Sequence, residues 1–225
     1  MSLLSIDAVP IVLNGAQLYA EASGALWWPA EATLVVADLH FEKGSSFARH
    51  GTHLPPYDTM ATLDRLAEAI RPEIQRVICL GDSFHDSDGP ARLGDGDRDT
   101  LARLTASREW IWIAGNHDPA LPDEIGGEIV ANELRFGALA FRHVASRGPA
   151  EGEISGHYHP RAGVRVRGRR IAGPCFIHDG GRLVMPAFGA YTGGLDVSDP
   201  ALAALFAGPP SIHLLARRRI ITLTA

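Results

Sequence analysis

Five short polar motifs in the chain contain the residue types that bind metal ions and transfer protons. In chain order they are Asp38-x-His40, Gly81-Asp82-x-x-His85, Gly115-Asn116-His117-Asp118, a lone His143 and Gly156-His157-x-His159. Carboxylate, amide and imidazole groups together suit borderline metals such as Mn²⁺, Fe²⁺ or Zn²⁺, whereas Ca²⁺ prefers oxygen ligands. Each motif alone is a weak signal, because Asp and Asn also occupy turns and caps. The occurrence of all five motifs in one chain, in a fixed order, is a strong signal.

Apolar runs that precede three of these motifs predict buried strands. The runs are Thr33–Ala37, Arg76–Leu80 and Glu109–Ala114. Apolar residues at helical spacing predict a helix over Tyr57–Ile70, and Asp97–Ala106 has the pattern of a second one. Polar residues would then gather just past the carboxyl ends of the strands, where open α/β sheets place their sites.

The other segments predict short strands and one long polar loop, Phe41–Pro56. The predicted strands, which turn residues separate, are Pro10–Leu13, Gln17–Ala20, Ala25–Trp28, Glu128–Val130, Leu134–Phe136, Ala138–His143, Glu153–Ser155, Gly163–Val166, Cys175–His178 and Arg182–Met185. Strand–helix–strand units followed mainly by strands predict an α/β fold, a four-layer α/β/β/α sandwich of two packed mixed sheets flanked by helices. Because no linker or repeat divides the chain, we expect one domain over residues 1–225.

The composition argues against several classes of protein. The apolar runs are too short to span a membrane and no basic residue precedes the first of them, so we expect a cytoplasmic protein without membrane association. Cys79 and Cys175 lack Cys-x-x-Cys spacing and predict neither a zinc site nor a disulfide framework. A net charge of −5 gives no overall attraction to nucleic acid, so binding to it would need a local basic patch.

In their order, the five motifs resemble those of the calcineurin-like metallophosphoesterase superfamily over the stretch Thr33–Pro160. The resemblance implies a pair of divalent metal ions, with Mn²⁺ favoured and Fe²⁺ or Zn²⁺ as alternatives, and hydrolysis of a phosphate ester by an activated water. The implied ligands of one ion are Asp38, His40 and His159. The implied ligands of the second are Asn116, His143 and His157, with Asp82 bridging the two.

His117 follows a metal ligand and, by the same resemblance, reaches the phosphate rather than the metal. As an imidazolium it would stabilise the transition state or protonate the leaving oxygen. The neighbouring Asp118 is expected to orient it, the alternative being a cap or turn residue ahead of Pro119. Asn116 can bind a metal ion through its carbonyl oxygen while its amide nitrogen donates toward a phosphate.

His85 is the other catalytic and substrate-binding candidate. The run Gly81–Asp86 looks like a segment of nuclease members of the superfamily, in which the histidine faces a DNA phosphate. The alternative is a loop histidine that bonds to Asp86 or Asp88.

Other stretches look like one bacterial subfamily, the ligase-associated DNA damage response endonucleases. They are Ala37–Gly44, Leu54–Thr59, Gly115–Asp118 and Gly156–Pro160. This resemblance implies a manganese-dependent phosphodiesterase that acts on DNA, with a repair ligase, a helicase and an exonuclease as functional partners. The oligomeric state stays open between monomer and homodimer.

Arginines crowd the segment just past the last candidate ligands, at Arg161, Arg165, Arg167, Arg169 and Arg170. Alternating positions share one face of a strand, so a basic ridge beside the metals could follow a nucleic-acid backbone. We expect Arg161 and Arg165 to contact the substrate. The alternative is a solvated edge strand whose charges deter aggregation.

The sequence also leaves other functions open. A small-molecule phosphodiesterase, or a phosphomonoesterase acting on nucleotides, would use the same residues, because this fold does not choose the substrate. A scaffold that keeps the fold without turnover is a further alternative, although every ligand position is filled by a competent side chain.

Overall fold

The first sheet consists of seven strands that follow one another in both sequence and space. In the computed structural model, which describes residues 8–166, 168–217 and 219–223, they are β1 (Ala8–Leu13), β2 (Ala16–Glu21), β3 (Leu26–Trp28), β4 (Thr33–Val36), β5 (Arg76–Leu80), β6 (Glu109–Ile113) and β7 (Glu128–Val130). Strands β1 to β4 are antiparallel neighbours, whereas β4 to β7 are parallel. The parallel half therefore has all its carboxyl ends on one edge.

The parallel strands β4, β5 and β6 are apolar after their first residue, as expected for strands that are buried on both faces. Leu34 and Val36 of β4 pack on the side of the helices, whereas Val35 packs toward the second sheet. Ile78 of β5 and Ile111 of β6 also face the second sheet. This alternation explains why the sequence shows continuous apolar runs.

Helices cover the outer face of the first sheet. They are α1 (Lys43–Arg49), α2 (Asp58–Ala69), α3 (Gly89–Arg92) and α4 (Asp95–Ala106), and single 3₁₀ turns lie at Pro29–Glu31 and Asp123–Ile125. Leu63 and Leu66 of α2 and Leu101 of α4 belong to the same buried cluster as Leu34 and Val36. The two longer helices thus follow from their apolar periodicity.

Helix α1 corrects the prediction that Phe41–Pro56 is a loop throughout. The buried residues of α1 are Gly44 and Ser46, so the helix has no apolar stripe for a periodicity search to find. It is held instead by polar contacts, including a hydrogen bond from the Gly44 amide to the Asp58 carboxylate at 2.9 Å. A helix stabilised in this way leaves little trace in the hydrophobic pattern.

The second sheet is also mixed. Its strands are β8 (Glu133–Phe136), β9 (Leu139–Arg142), β10 (Glu153–Ser155), β11 (Arg161–Val166), β12 (Arg169–His178), β13 (Arg182–Val184), β14 (Ser211–Ala216) and β15 (Arg219–Leu223). The spatial order is β15-β14-β12-β13-β10-β9-β8, with β11 paired to β12. Strands β9, β10 and β13 are parallel to one another. Strands β14 and β15 were absent from the sequence prediction.

The two sheets pack face to face through one apolar cluster. Ile78 and Leu80 of the first sheet share it with Phe141, Ile154 and Phe176 of the second. On the far side of the second sheet a short helix, α5 (Pro200–Ala203), adds Leu202 to a smaller buried group. The predicted α/β architecture of two packed mixed sheets flanked by helices is confirmed.

Within the described ranges, no helix combines the length and the apolar character needed to cross a membrane.

Candidate metal centre

The ends of parallel strands in both sheets converge on one place. Asp38 follows β4, Asp82 follows β5 and Asn116 follows β6, and these three strands are parallel neighbours. His143 directly follows β9 and His157 comes two residues after β10, which runs parallel to β9. The carboxyl ends of parallel strands share an edge, so the two sheets together bring the predicted ligands to a single site.

Five of the predicted ligands have left-handed backbone conformations. Their φ angles are 54° for Asp38, 47° for His40, 46° for Asp82, 70° for His157 and 46° for His159. For residues other than glycine this conformation costs roughly 1–3 kcal/mol each, and it persists only where the surrounding structure enforces it. The strain is therefore concentrated where side chains must turn out of the strand direction toward a common point.

The first cluster joins a carboxylate to two imidazoles. His40 Nε2 lies 3.4 Å from His159 Nε2, and His159 Nε2 lies 3.2 Å from Asp38 Oδ1. The ligand atoms of all three residues lie within 4.8 Å of one another. Asp38 and His40 are buried, so the group faces inward.

The second cluster is centred on His143. Its Nε2 lies 2.9 Å from Asn116 Oδ1, 3.3 Å from Asp82 Oδ2 and 3.1 Å from His157 Nδ1. His143 also lies beside the first cluster, because its Nδ1 is 3.7 Å from Asp38 Oδ1. The two groups of ligands are therefore contiguous.

These separations fit a shared cation. Two ligand atoms bound to one metal at about 2.1 Å lie roughly 3.0–3.4 Å apart at octahedral or tetrahedral angles. The observed separations within the clusters run from 2.9 Å to 3.4 Å. Lone pairs that face each other at such distances repel unless a proton or a cation lies between them. The donor set of carboxylate, amide and imidazole also suits a divalent transition metal.

Groups around the ligands fix their orientation. His143 donates its Nδ1 proton to the Leu80 carbonyl at 2.9 Å, which turns its Nε2 toward the site. The Asp38 carboxylate accepts the backbone N–H of His157 at 2.9 Å. Asp82 Oδ1 accepts the backbone N–H of His117, also at 2.9 Å. Each of these three ligands is thus held by a partner from a different strand end.

His85 supports two other histidines of the site. With Nε2 left to bind a metal ion, His40 would carry its proton on Nδ1, which lies 3.4 Å from His85 Nδ1. His85 Nδ1 would then accept a hydrogen bond from His40 Nδ1–H, and the proton of His85 would lie on Nε2. The backbone carbonyl of His85 accepts the Nδ1 proton of His117 at 2.8 Å. Burial, and then Lys43 and His117, lower the pKa of His85 to about 4, so the ring is neutral at pH 7.

The structure differs from the expectation that Asp118 orients His117. The buried Asp118 carboxylate accepts the backbone N–H of Gly115 at 3.0 Å and that of Phe84 at 3.0 Å. It therefore joins the turn after β6 to the turn after β5, the role of a turn residue. Burial raises its pKa to about 6, and the partner that orients His117 is the carbonyl of His85.

His117 itself lies at the mouth of the site. Its Nε2 is 4.0 Å from Asp82 Oδ2, and its side chain is 40% exposed. The ring stacks on His85 with 5.1 Å between centroids. A phosphate bound at the two clusters would therefore be within its reach.

The arginines of the ridge lie along a hairpin that leads away from the clusters. Arg161 begins β11 two residues after His159, and Arg165 lies opposite Arg170 on β12. At the usual rise of a strand, Arg165 is about 13 Å further along than Arg161. Arg165 and Arg170 are exposed. Arg167, which the ridge also included, lies outside the described residues.

Sequence reasoning missed a loop that holds two ligand segments together. The Gly189 amide donates to the Asp38 carbonyl at 3.1 Å. A Cβ atom at Gly189 would overlap the Leu39 carbonyl, and one at Gly194 would overlap the His159 carbonyl. The part of the loop over residues 189–194 contains no His, Cys, Asp or Glu, so its repeated glycines were the only signal.

Buried carboxylates raise the pKa of one histidine in the site, whereas burial lowers that of another. Burial alone would lower the pKa of His143, but Asp82 and Asp38 outweigh it and raise the pKa to about 9. Burial alone would raise the pKa of Asp82, but the hydrogen bond and charge of His143 lower it to about 2. Burial, and then His159, lower the pKa of His40 to about 2. In the metal-free protein the His143 proton thus supplies positive charge among the ligands.

Substituting Gly194 tests whether the loop over residues 189–194 holds His159 in place. Gly194→Ala should displace His159 and weaken Mn²⁺ binding about 10- to 100-fold, the usual effect of disturbing the surroundings of a ligand. The neighbouring Gly193 has open space around its Cβ position, so Gly193→Ala should bind as the unchanged protein does. Calorimetric titration with Mn²⁺ measures both, and equal affinities would contradict the role of the loop.

Metal binding should displace the His143 proton. Because the folded-state pKa of about 9 lies above the ordinary 6.5, the proton is held at neutral pH and lost as the pH rises through about 9. Mn²⁺ affinity should therefore rise between about pH 6.5 and 8.5, by up to about tenfold per pH unit for each proton displaced. Titration calorimetry in buffers of different ionisation enthalpy counts the protons. Binding without any proton release would refute the expectation.

One solved structure is similar to this chain over nearly its whole length. The structure is similar to the crystal structure of Pseudomonas putida nuclease MPE, with a TM-score of 0.75 and 28% sequence identity over 96% of this chain and 100% of that chain. A protein of unknown function from Aquifex aeolicus, AQ665, has 16% identity over 65% of this chain and 60% of that chain, and its TM-score of 0.31 is too low to support an argument. Comparison with curated proteins gives no match.

A family model gives the assignment. The model of the calcineurin-like phosphoesterases matches residues 32–179, well over half of the chain. The matched region includes every predicted metal ligand, from Asp38 to His159. The chain therefore belongs to the calcineurin-like phosphoesterase family and is a hydrolase of phosphate esters.

Proposed function

We propose that the protein is a binuclear, manganese-dependent phosphodiesterase that cuts DNA as an endonuclease in DNA repair. The observation that carries the proposal is the contiguity of the two ligand clusters at His143, with the exposed His117 beside Asp82. The similarity to a chain described as a nuclease, at 28% identity over 96% of this chain, supports DNA as the substrate. A repair ligase, a helicase and an exonuclease remain the proposed functional partners, and the cytoplasm the proposed location.

The cations and the protein side chains would contribute different parts of the reaction. Divalent cations at the two clusters would supply an activated water as nucleophile and would neutralise charge on the phosphate oxygens. Asp38, His40 and His159 would hold one cation, and Asn116, His143 and His157 the other, with Asp82 between them. The oxygen of that water, which would already have lost one proton to solvent, would form a bond to phosphorus as the bond from phosphorus to the leaving ester oxygen breaks.

His117 is placed to protonate the leaving oxygen. Its Nδ1 proton is already committed to the His85 carbonyl, so the proton that can move is the one on Nε2. That nitrogen lies 4.0 Å from Asp82 Oδ2 on a side chain that is 40% exposed, so a bound phosphate would be within its reach. The Nε2–H of His85 would donate a hydrogen bond to a phosphate oxygen. The leaving group thus departs as an alcohol rather than an alkoxide.

The basic hairpin supports a polymeric substrate. Arg165 and Arg170 are directly opposite each other on β11 and β12, an arrangement that is destabilising in an antiparallel pair unless an anion offsets it. A DNA backbone lying along the hairpin would supply phosphates at this position. We propose that Arg161, nearest to the ligands, contacts the phosphate next to the scissile one.

His117→Ala tests the reaction itself. Hydrolysis of bis-p-nitrophenyl phosphate and nicking of supercoiled plasmid with Mn²⁺ should fall about 10²- to 10⁴-fold, because a general acid is lost. Bound metal, measured by plasma mass spectrometry, should stay as in the unchanged protein. His53, an exposed histidine after α1, gives the matched control His53→Ala, which should be fully active.

The same assays separate the alternatives. Unchanged turnover in His117→Ala would refute its role as general acid. Hydrolysis of small esters without nicking of any DNA would instead identify a small-molecule phosphoesterase. The metal-loaded protein would be a scaffold if it hydrolysed neither.

Arg165→Gln tests the hairpin as a track for the DNA backbone. Removing one phosphate contact should weaken DNA binding and reduce the slope of log affinity against log salt by about 1, without changing hydrolysis of bis-p-nitrophenyl phosphate. Arg219 begins β15 and is also exposed, so Arg219→Gln is a control of equal charge. Equal salt slopes for the two variants would rule out this role for Arg165.

A further inference from the structure

Helix α1 presents an exposed aromatic ring beside the candidate metal centre. Phe47 is 36% exposed, and the other residues of α1 are small, polar or charged. The exposed third of its surface stands on an otherwise polar helix, where another molecule can reach it.

Polar contacts fix α1 in position. It follows Glu42, which has a left-handed φ of 63° and whose buried carboxylate accepts hydrogen bonds from Ser45 at 2.6 Å and Thr59 at 3.0 Å. Arg92 donates to the Ser45 hydroxyl at 2.9 Å and pairs with Asp86 at 2.8 Å. Asp86 is next to His85, so α1 and the His85 segment are connected.

The ring of Phe47 continues the row of rings that starts at the metal clusters. His117 stacks on His85 at 5.1 Å between centroids, and Phe47 lies 5.5 Å from His85 with a 38° tilt. Two ring-to-ring steps thus separate Phe47 from the proposed general acid. One nucleotide attached to a phosphate at the clusters can bridge that distance.

A cation lies over the ring of Phe47. Lys43, one helical turn before Phe47, places its Nζ 5.7 Å from the ring centroid. Arg49 on the same helix is already paired with Asp88 at 2.9 Å. Lys43 is therefore the basic group of α1 that can turn toward a phosphate.

We propose that α1 forms a nucleotide subsite, in which Phe47 stacks on an unpaired base next to the scissile phosphate and Lys43 binds the adjoining phosphate. The proposal rests on the proposed function, because it needs a nucleic-acid substrate. Stacking on an aromatic side chain tolerates any base, so the subsite would position the strand without selecting a sequence. The competing role for Phe47 is packing alone, holding His85 in place.

The test compares a short oligothymidylate with an abasic chain of the same length, which has the same phosphates and no bases. With the Mn²⁺-loaded protein, Phe47→Ala should raise KM for oligothymidylate about 5- to 100-fold and leave KM for the abasic chain unchanged, because only the base contact is lost. Phe47→Trp should restore the lower KM. Lys43→Gln should raise KM on both chains alike.

Control measurements distinguish a failure of the nucleotide subsite from a failure of the proposed function. Val12, 63% exposed on β1, gives the control Val12→Ala, which should change neither KM. An equal rise in KM on both chains in Phe47→Ala would show that the ring only packs on His85 and would overturn the subsite. An unchanged KM on both chains would overturn it as well. Plasmid nicking without cleavage of oligothymidylate would also overturn it, because a stacked base must be unpaired. If the unchanged protein cut no DNA at all, the proposed function would fail instead.

Discussion

Electrostatic repulsion among the closely spaced ligand atoms is the main constraint on this structure. Ring nitrogens of His143 and His157 lie 3.1 Å apart, and those of His40 and His159 lie 3.4 Å apart, with two buried carboxylates beside them. Such an arrangement is stable only with positive charge between the groups. In the metal-free chain the His143 proton supplies part of that charge, and divalent cations would supply more of it.

The fold provides the rigidity that this arrangement demands. Parallel strand ends from two sheets supply the positions, and backbone amides hold the Asp38 and Asp82 carboxylates in place. This arrangement costs backbone strain, because five ligands have left-handed conformations. The loop with the tightly packed Gly189 and Gly194 helps to enforce these conformations. Apolar packing between the two sheets stabilises the strained turns, because each turn follows a buried strand that holds its position.

Much of this site was predictable because its signals are local in the sequence. Continuous apolar runs located β4, β5 and β6, and the polar residues that follow them located Asp38, Asp82 and Asn116. Helix α1 could not be predicted in this way, because polar contacts and not an apolar stripe hold it. The partners of Asp118 were also unpredictable, since its contact with the Phe84 amide joins residues that are distant in sequence. The single-domain assignment stays a prediction.

The most direct test of the account is a crystal structure of the protein grown with Mn²⁺, with anomalous scattering used to locate the metal. We expect two peaks about 3.5–4 Å apart. One should contact Asp38, His40 and His159, the other Asn116, His143 and His157, and Asp82 should touch both. No peak among these groups, or a single peak with the remaining imidazoles turned away, would contradict it.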